Sequence, residues 1–599
     1  MDAPVIDKEA LRQKYAEERD KRLRSDGNDQ YKRLEGKFAD YAVDPHTPVK
    51  PREPKTDHVT FAFIGGGFAG LVTGARVVEA GVKDVRIIEK GGDFGGTWYW
   101  NRYPGAQCDT AAMIYLPLLE ETGHMPSEKY VHGPEIRQHC QRIANQYGLY
   151  DNALFHTEVT ALEWQESEAC WLIRTNRGDA FTAKYLGMGT GPLHVAKLPG
   201  IPGIETFKGH SFHTSRWDYE YTGGDADGAP MEKLADKRVA IIGTGATAVQ
   251  CVPHLAKAAK NLFVFQRTPS SIDERGNAPI DPDWFKEIAT PGWQQRWFDN
   301  FVDNQSQGVI PTDDYVMDGW TELSRRIREK VMAMPATDWT PETVMQAFED
   351  ADFEKMSEIR ARCDDLVEDE KTADSLKAWY RQLCKRPCFH DAYLQAFNES
   401  GTKLVHTDGK GVEQITETGL IANGEHYEVD CIVYASGFEV GSEFHEQTGF
   451  DPIGRGAQKL SDLWADGMRT LHGVHIHGFP NLFMVQPYQA ANLISNVPHN
   501  IVDHANTIST VIRHAEEIDA RIVEPEKAAQ DAWVDLILSG EGMLIGSTEC
   551  TPGYYNNEGA GINDRNRHGL GHPAGAKVFF AHIKAWRESG NFEGLAFAV

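Results

Sequence analysis

The chain has 599 residues, enough at about 150 per domain for three or four domains or one large multi-lobed enzyme, and its 41% hydrophobic and 25% charged residues exclude wholesale disorder. Sixty-one Lys and Arg against 88 Asp and Glu leave a formal charge of −27, which argues against a nucleic-acid binder or a polybasic membrane-surface protein. No apolar run approaches the ~18 residues needed to cross a bilayer. The opening MDAPVIDKEALRQKYAEERD lacks the apolar core of a signal peptide, and nine scattered cysteines do not make a disulfide framework. The expectation is a soluble, acidic, cytoplasmic, multidomain protein.

Residues 1–55 form an N-terminal extension and linker. DKEALRQKYAEERDKRLR is rich in helix formers, with Leu11, Tyr15 and Leu23 as sparse apolar positions. SDGNDQY breaks the helix, and VDPHTPVKPREPKTD predicts an extended linker. Two readings stand side by side: an arm packed on the main body, or a helix that binds a partner or a second copy.

From residue 58, HVTFAFIGGGFAGLVTGARVVEAGVKDVRIIEK predicts strand, glycine-rich turn, helix and strand. Gly65, Gly67 and Gly70 form G-x-G-x-x-G. The first glycine permits the tight turn and the second lets the backbone approach a pyrophosphate. The third lets helix and strand pack closely, with the helix N-terminus facing the phosphates. Glu89 ends the next strand, 19 residues after Gly70. A carboxylate there accepts bonds from ribose hydroxyls and repels a 2′-phosphate, which points to FAD or NAD rather than NADP.

A second unit, DKRVAIIGTGATAVQCVPHLAKAAKNLFVFQRT, begins near residue 237. Gly243 and Gly245 follow its strand, and Ala248 takes the third glycine position. Gln266, Arg267 and Thr268 stand where an acid would otherwise sit, and Arg267 can pair with a 2′-phosphate, so this site suits NADP. Two such units predict an α/β fold with two Rossmann-type dinucleotide-binding lobes, one for FAD and one for NADP. Residues 270–384 predict a helical insertion rich in aromatic residues, and VDCIVYASGFE predicts another strand at 429–439.

An FAD-type site beside an NADP-type site implies hydride transfer from NADPH to flavin. The reduced flavin can pass electrons to a disulfide or react with O2. A disulfide reductase needs a cysteine pair near the flavin, but the only close pair, Cys384 and Cys388, is far from the first turn in sequence, and Cys108 has no nearby partner.

GGTWYWNRYPGAQCD, residues 95–109, is more specific. It resembles the long fingerprint of the Baeyer–Villiger monooxygenases, flavoenzymes that insert one oxygen atom beside a ketone. The family's second motif, F-x-G-x-x-x-H-x-x-x-W followed by Pro or Asp, is matched by Phe207, Gly209, His213, Trp217 and Asp218. The resemblance covers roughly residues 58–560.

That resemblance implies that Thr97 and Trp98 lie against the flavin, with Asp109 near both flavin and nicotinamide. Cys108, Tyr115 and the backbone at Val159 match further cofactor positions, and Gln107 stands where arginine is common. Thr244, Gly245, Ala246, Thr247, Ala248, Val249 and Gln250 match the NADP pyrophosphate turn. Arg267, Thr268 and Lys385 match groups around the 2′-phosphate, and Arg386 in LCKRPCF matches the active-site arginine. Implied with it is a peroxide at flavin C4a, whose anion attacks the ketone. A guanidinium stays cationic at any accessible pH and stabilises both that anion and the oxyanion of the adduct, with Asp109 orienting it. Carbon migration then yields a lactone or ester.

The implied division is an FAD-binding domain over 56–200 and 437–599, the latter including a C-terminal pocket segment, and an NADP-binding domain over 201–269 and 385–436. His213 is expected at a hinge rather than as a general base. His472, His475 and His477 alternate along an apparent strand without a carboxylate or cysteine set, so no metal is expected. Tyr554, Tyr555 and Asn556 in CTPGYYNNEG are candidate pocket or NADP contacts. The N-terminal arm and this segment resemble members acting on bulky or large-ring cyclic ketones. A flavin-containing N- or S-oxygenating monooxygenase and a non-catalytic flavoprotein binding module are the rival readings.

Overall fold

The computed structural model describes residues 7–305, 313–440, 443–491, 496–540 and 547–599. The fold is α/β. A six-stranded sheet runs in the order Val85–Ile88, His58–Ile64, Ala180–Met188, Cys170–Thr175, Val159–Gln165, with Leu482–Met484 joining Ala180–Met188 from the C-terminal part of the chain. His58–Ile64 is parallel to both its neighbours and the Cys170–Thr175 hairpin strands are antiparallel. Phe61, Ala62 and Phe63 are fully buried, the pattern of a strand covered on both faces. Helix Phe68–Glu79 leaves the glycine turn and packs against helix Val497–Glu517.

The second sheet has five strands, all parallel, in the order Thr402–His406, Asn261–Gln266, Arg238–Ile242, Cys431–Tyr434, His210–His213. Helix Ala246–Ala258 follows its glycine turn. Between its strands the chain inserts helices Pro282–Ile288, Trp293–Gln305, Gly319–Met332, Pro341–Leu366 and Glu370–Leu376.

The N-terminal arm packs on the body. Helix Lys8–Asp20, capped by Asp7, lies on Pro341–Leu366 through Arg12–Glu349 at 2.5 Å, Lys8–Asp350 at 2.6 Å and Tyr15 edge-on to Phe353. Leu23, an expected apolar position, is 47% exposed. Tyr31–Lys32 pairs antiparallel with Leu198–Pro199, and Asp44 accepts the Gly92 N–H at 3.0 Å.

Two expectations change. No disulfide is expected among the scattered cysteines, yet Cys384 and Cys550, 166 residues apart in sequence, form one, while Cys388 stays free. Such a pairing is invisible to spacing because the fold brings the partners together. The histidines of residues 472–477 are not on a strand: His472 has φ 58° in a turn closed by a Leu471–His475 bridge. His472 packs edge-on to Trp533 and Trp586, while His477 Nδ1 lies 2.9 Å from the Pro525 carbonyl.

Candidate active site

A cavity of about 2170 Å³ opens between the two sheets, at the carboxyl ends of their parallel strands, and both glycine turns reach it. At the first turn, Gly65 has φ 110°, and a Cβ there would meet the Gly189 carbonyl oxygen at 2.5 Å. Gly70 faces away from the cavity; its would-be Cβ lies 2.0 Å from the Gly65 carbonyl oxygen, so its role is close helix–strand packing. Gly67 precedes helix Phe68–Glu79 with no side-chain cap, leaving the first helical amides to an anion. Glu89 is buried and accepts the Gly66 and Gly91 N–H groups, each at 2.6 Å. Burial raises its pKa, while those two amides oppose the shift.

Thr97 and Trp98 lie on the short helix Thr97–Trp100, and the Trp98 indole donates to the Tyr115 hydroxyl at 2.8 Å. Val159 opens a strand beside the same cavity. Cys108 is buried on the cavity wall, and burial pushes its thiol pKa up to about 12. Gln107 donates to the Tyr130 carbonyl at 2.6 Å and accepts from the Arg275 guanidinium.

The second turn differs in detail from the sequence expectation. Thr244, Gly245, Ala246, Thr247 and Gln250 line the cavity, whereas Ala248 and Val249 are buried in the core beneath the helix. A Cβ on Gly245 would meet nothing within 4 Å, an open approach for a pyrophosphate. Gln250 turns toward the first lobe: its amide donates to the Gln107 carbonyl at 2.9 Å and accepts the Gln107 N–H at 3.1 Å. The Thr244 hydroxyl donates to the Thr268 carbonyl at 2.7 Å. Arg267 and Lys385 line the same cavity. Burial lowers the Lys385 ammonium pKa to about 8.

Arg386 and Asp109 meet where the two lobes face each other. The guanidinium donates to both carboxylate oxygens, at 2.6 and 2.7 Å. This two-point geometry fixes the guanidinium plane as well as its charge. Burial opposes that charge, but Asp109 holds the Arg386 pKa well above its ordinary value. Trp320, which no sequence motif marked, donates its indole N–H to the Asp109 carbonyl at 2.8 Å, and the Arg386 guanidinium lies 5.5 Å from its ring centre.

The remaining motif residues divide into two groups. Tyr554 and Tyr555 line the cavity; Asn556 turns inward, donating to the Cys550 carbonyl at 3.0 Å and accepting the Gly553 and Gly559 N–H groups. His213 is fully buried on the second sheet, accepts the Ser215 N–H at 3.2 Å, and has its pKa lowered to about 3 by burial. Trp217 donates to Thr222, and Asp218 caps helix Tyr219–Thr222. This motif shapes the lobe and does not enter the cavity.

The donor set fits two dinucleotides. Each glycine turn presents uncapped helical amides to one cavity, which the Glu89 carboxylate lines beside the first turn and the Arg267 and Lys385 cations line as well.

Residues 62–295 match the family model for pyridine nucleotide-disulphide oxidoreductases. The chain is 48% identical to neopentalenolactone D synthase of Streptomyces avermitilis over 99% of both chains. It is 46% identical to a Baeyer–Villiger monooxygenase of Streptomyces coelicolor, over 98% of this chain and 96% of the relative. Among solved structures, the polycyclic ketone monooxygenase of Thermothelomyces thermophila superposes with a TM-score of 0.91 at 36% identity, covering 98% of this chain and 99% of its own. With the paired arginine and aspartate between two dinucleotide turns, these likenesses make the chain a member of the Baeyer–Villiger monooxygenase family.

Proposed function

We propose that this enzyme uses NADPH and O2 to insert one oxygen atom beside the carbonyl of a bulky cyclic or polycyclic ketone, releasing a lactone, NADP⁺ and water. The observation that carries the reading is the Arg386–Asp109 pair at the meeting point of the two lobes. FAD, when bound and reduced by NADPH, supplies the activation of O2.

The chain's own residues have three tasks. Gly65, Gly67 and the amides of helix Phe68–Glu79 receive the FAD pyrophosphate, with Glu89 on its ribose and Thr97, Trp98, Gln107, Cys108, Tyr115 and Val159 forming the surrounding wall. Thr244 to Thr247 receive the NADP pyrophosphate, with Arg267, Thr268 and Lys385 at its 2′-phosphate, while Ala248 and Val249 support that turn from the core and Gln250 links it to Gln107. Arg386 stabilises the oxyanion that develops on the ketone, and Asp109 holds the guanidinium plane toward it. A permanently charged donor fixed before reaction needs no reorganisation as charge develops.

The two sheets support a division into an FAD domain over 56–200 and 437–599, and an NADP domain over 201–269 and 385–436 with the helices of 270–384 inserted. Support for a bulky ketone comes from the apolar wall beside Trp320, with Phe301, Leu323, Ile327 and Phe348 on the cavity, and from relatives named for neopentalenolactone D and polycyclic ketones. For location, the seven free, buried thiols support a cytoplasmic reading, and the Cys384–Cys550 disulfide counts against it.

The test is NADPH consumption by the yellow holoenzyme with bicyclic, tricyclic and C12–C15 cyclic ketones, with lactone and hydrogen peroxide both quantified. Lactone matched to NADPH is expected, and Arg386→Ala should abolish it while FAD stays bound. Oxygenation of amines or sulfides with no ketone oxidation would replace this reading with the N- or S-oxygenating one. Bound FAD without NADPH turnover would favour a binding module.

A further inference from the structure

Around Arg267 and Lys385 the cavity holds charged and polar groups brought from three separate parts of the chain. Lys197 lies between the lobes with its side chain 11% exposed, and its Nζ stands 3.8 Å from Glu558 Oε1 and 3.6 Å from the Tyr31 ring centre. Tyr31, from the N-terminal arm, donates its hydroxyl to Glu558 Oε1 at 3.1 Å. Arg267 lies 3.6 Å from Glu558 Oε2 and donates to the Gln30 side chain. Glu558, from the C-terminal segment, has a side chain only 4% exposed.

The charges in this cluster do not balance. Lys197, Arg267 and Lys385 carry three positive charges, and among the described residues Glu558 is the one carboxylate in ion-pair contact with this cluster; Glu439 and Asp26 act on Lys197 and Arg267 more weakly. Glu558 Oε2 is buried and makes no hydrogen bond among the described residues. A buried anion with one oxygen held only by a 3.6 Å ion pair and no hydrogen bond, among cations in excess by two, fills a place that suits a dianion better. A phosphate monoester near pH 7 carries about two negative charges and three acceptor oxygens.

The arm is built to reach this place. Its strand Tyr31–Lys32 pairs with Leu198–Pro199, directly after Lys197. Gly200 donates its N–H to the Gln30 carbonyl at 2.7 Å, and a Cβ there would come within 2.6 Å of that oxygen. Asn28 donates to the Asn557 side chain, linking arm and C-terminal segment directly.

We propose that Lys197 and Tyr31 complete the 2′-phosphate pocket for NADP, and that Glu558 occupies its anion site until the cofactor arrives. The proposal rests on the NADP reading above and adds the arm and the C-terminal segment to it. The 2′-phosphate takes the place of the Glu558 carboxylate among Lys197, Arg267 and Lys385, accepting a hydrogen bond from the Tyr31 hydroxyl. Glu558 then moves with the segment that carries Tyr554 and Tyr555, so nucleotide arrival is felt at the ketone end of the cavity.

The experiment measures dissociation constants of NADP⁺ and NAD⁺ for the FAD-loaded full-length protein, by flavin absorbance changes and by calorimetry. Lys197→Met should weaken NADP⁺ about tenfold and leave NAD⁺ within about twofold, because a charge-assisted phosphate contact is lost. Lys197→Arg should retain most of the NADP⁺ affinity. Glu558→Gln should tighten NADP⁺ by about fivefold by removing the competing charge. Equal weakening of both nucleotides by Lys197→Met, or no weakening, overturns the role of Lys197. Weaker NADP⁺ binding by Glu558→Gln overturns its role as occupant, and this variant carries the test if Lys197→Met fails to load FAD. Wild-type protein with no preference for NADP⁺ over NAD⁺ defeats the cofactor reading itself, a result separate from the variant comparisons.

Discussion

The disulfide between Cys384 and Cys550 ties the residue two before Arg386 to the segment that brings Tyr554 and Tyr555 to the cavity. Arg386 and the C-terminal wall of the cavity are therefore anchored to one another, although 166 residues separate the two cysteines in sequence. On the other side of Arg386, Cys388 remains a free buried thiol with its pKa pushed up to about 11 by burial.

Cys550→Ser should lower the unfolding midpoint. Loop closure over 166 residues limits the effect to about 5 kcal/mol on the chain-entropy account. Calorimetric melting of wild type with and without dithiothreitol, beside the variant, checks it. Coincident melting curves for all three would mean that the bridge contributes nothing to stability.

Trp320 should act as a positioning residue for the Arg386–Asp109 pair. Trp320→Phe keeps a ring near the guanidinium but removes the N–H donated to the Asp109 carbonyl. A hydrogen bond of about 1 kcal/mol predicts a roughly fivefold slower ketone oxidation, with a larger share of NADPH ending as hydrogen peroxide. The ratio of lactone to peroxide reads this directly, and a packing role alone would leave that ratio unchanged in folded, FAD-loaded protein.

NADP⁺ affinity should fall above pH 8. Burial lowers the Lys385 pKa to about 8; the Glu558 carboxylate opposes the shift, and the Arg267 and Arg22 cations add to it. Above that pH the nucleotide-free protein must take up a proton to present the ammonium, weakening NADP⁺ by up to about tenfold per pH unit. NAD⁺, without the 2′-phosphate, should show a flatter profile. Parallel titrations of both nucleotides between pH 7 and 9.5 check this, and identical slopes would exclude Lys385 from the phosphate contact.

Stability should fall on mild acidification. His213, His475, His499 and His504 are buried, and desolvation lowers each pKa to about 3. The unfolded chain binds these protons near the ordinary histidine pKa of about 6.5, so the folded state is fully favoured above that pH and loses ground as pH drops toward 3. These four alone contribute up to about 5 kcal/mol per pH unit below 6.5, and His46, His139, His390 and His472, lowered by burial as well, add to the same slope. Unfolding midpoints should be level from pH 7.5 to 6.5 and drop between 6.5 and 5.5. A flat profile over the lower interval would contradict neutral burial of these rings.

Short-range chemistry was legible in the linear chain. Gly65, Gly67 and Gly70, the strands flanking them, and Glu89 express backbone constraints that act within about thirty residues, so the α/β fold with two nucleotide turns could be read from spacing. Arg386 stood out only through resemblance, because a Lys-Arg pair on a loop has no spacing signature of its own. The pattern of residues 472–477 was misleading for a related reason: alternation along a chain describes a strand only where a neighbouring strand accepts it, and here a turn buries His472 against Trp533 and Trp586.

Amino-acid order alone thus carried the fold class and the two nucleotide turns, and resemblance to a family marked Arg386 and Asp109. Their meeting was settled by long-range packing: Arg386 reaches Asp109 across 277 residues, Tyr31 reaches Glu558 across 527, and Cys384 reaches Cys550 across 166. Periodicity reports the local backbone state, whereas contacts between distant segments depend on how whole sheets and helices bury their apolar faces together. The groups that surround the phosphate end of the cavity come from the N-terminal arm, the connection between the lobes and the C-terminal segment, and only burial of all three on one body makes them a site.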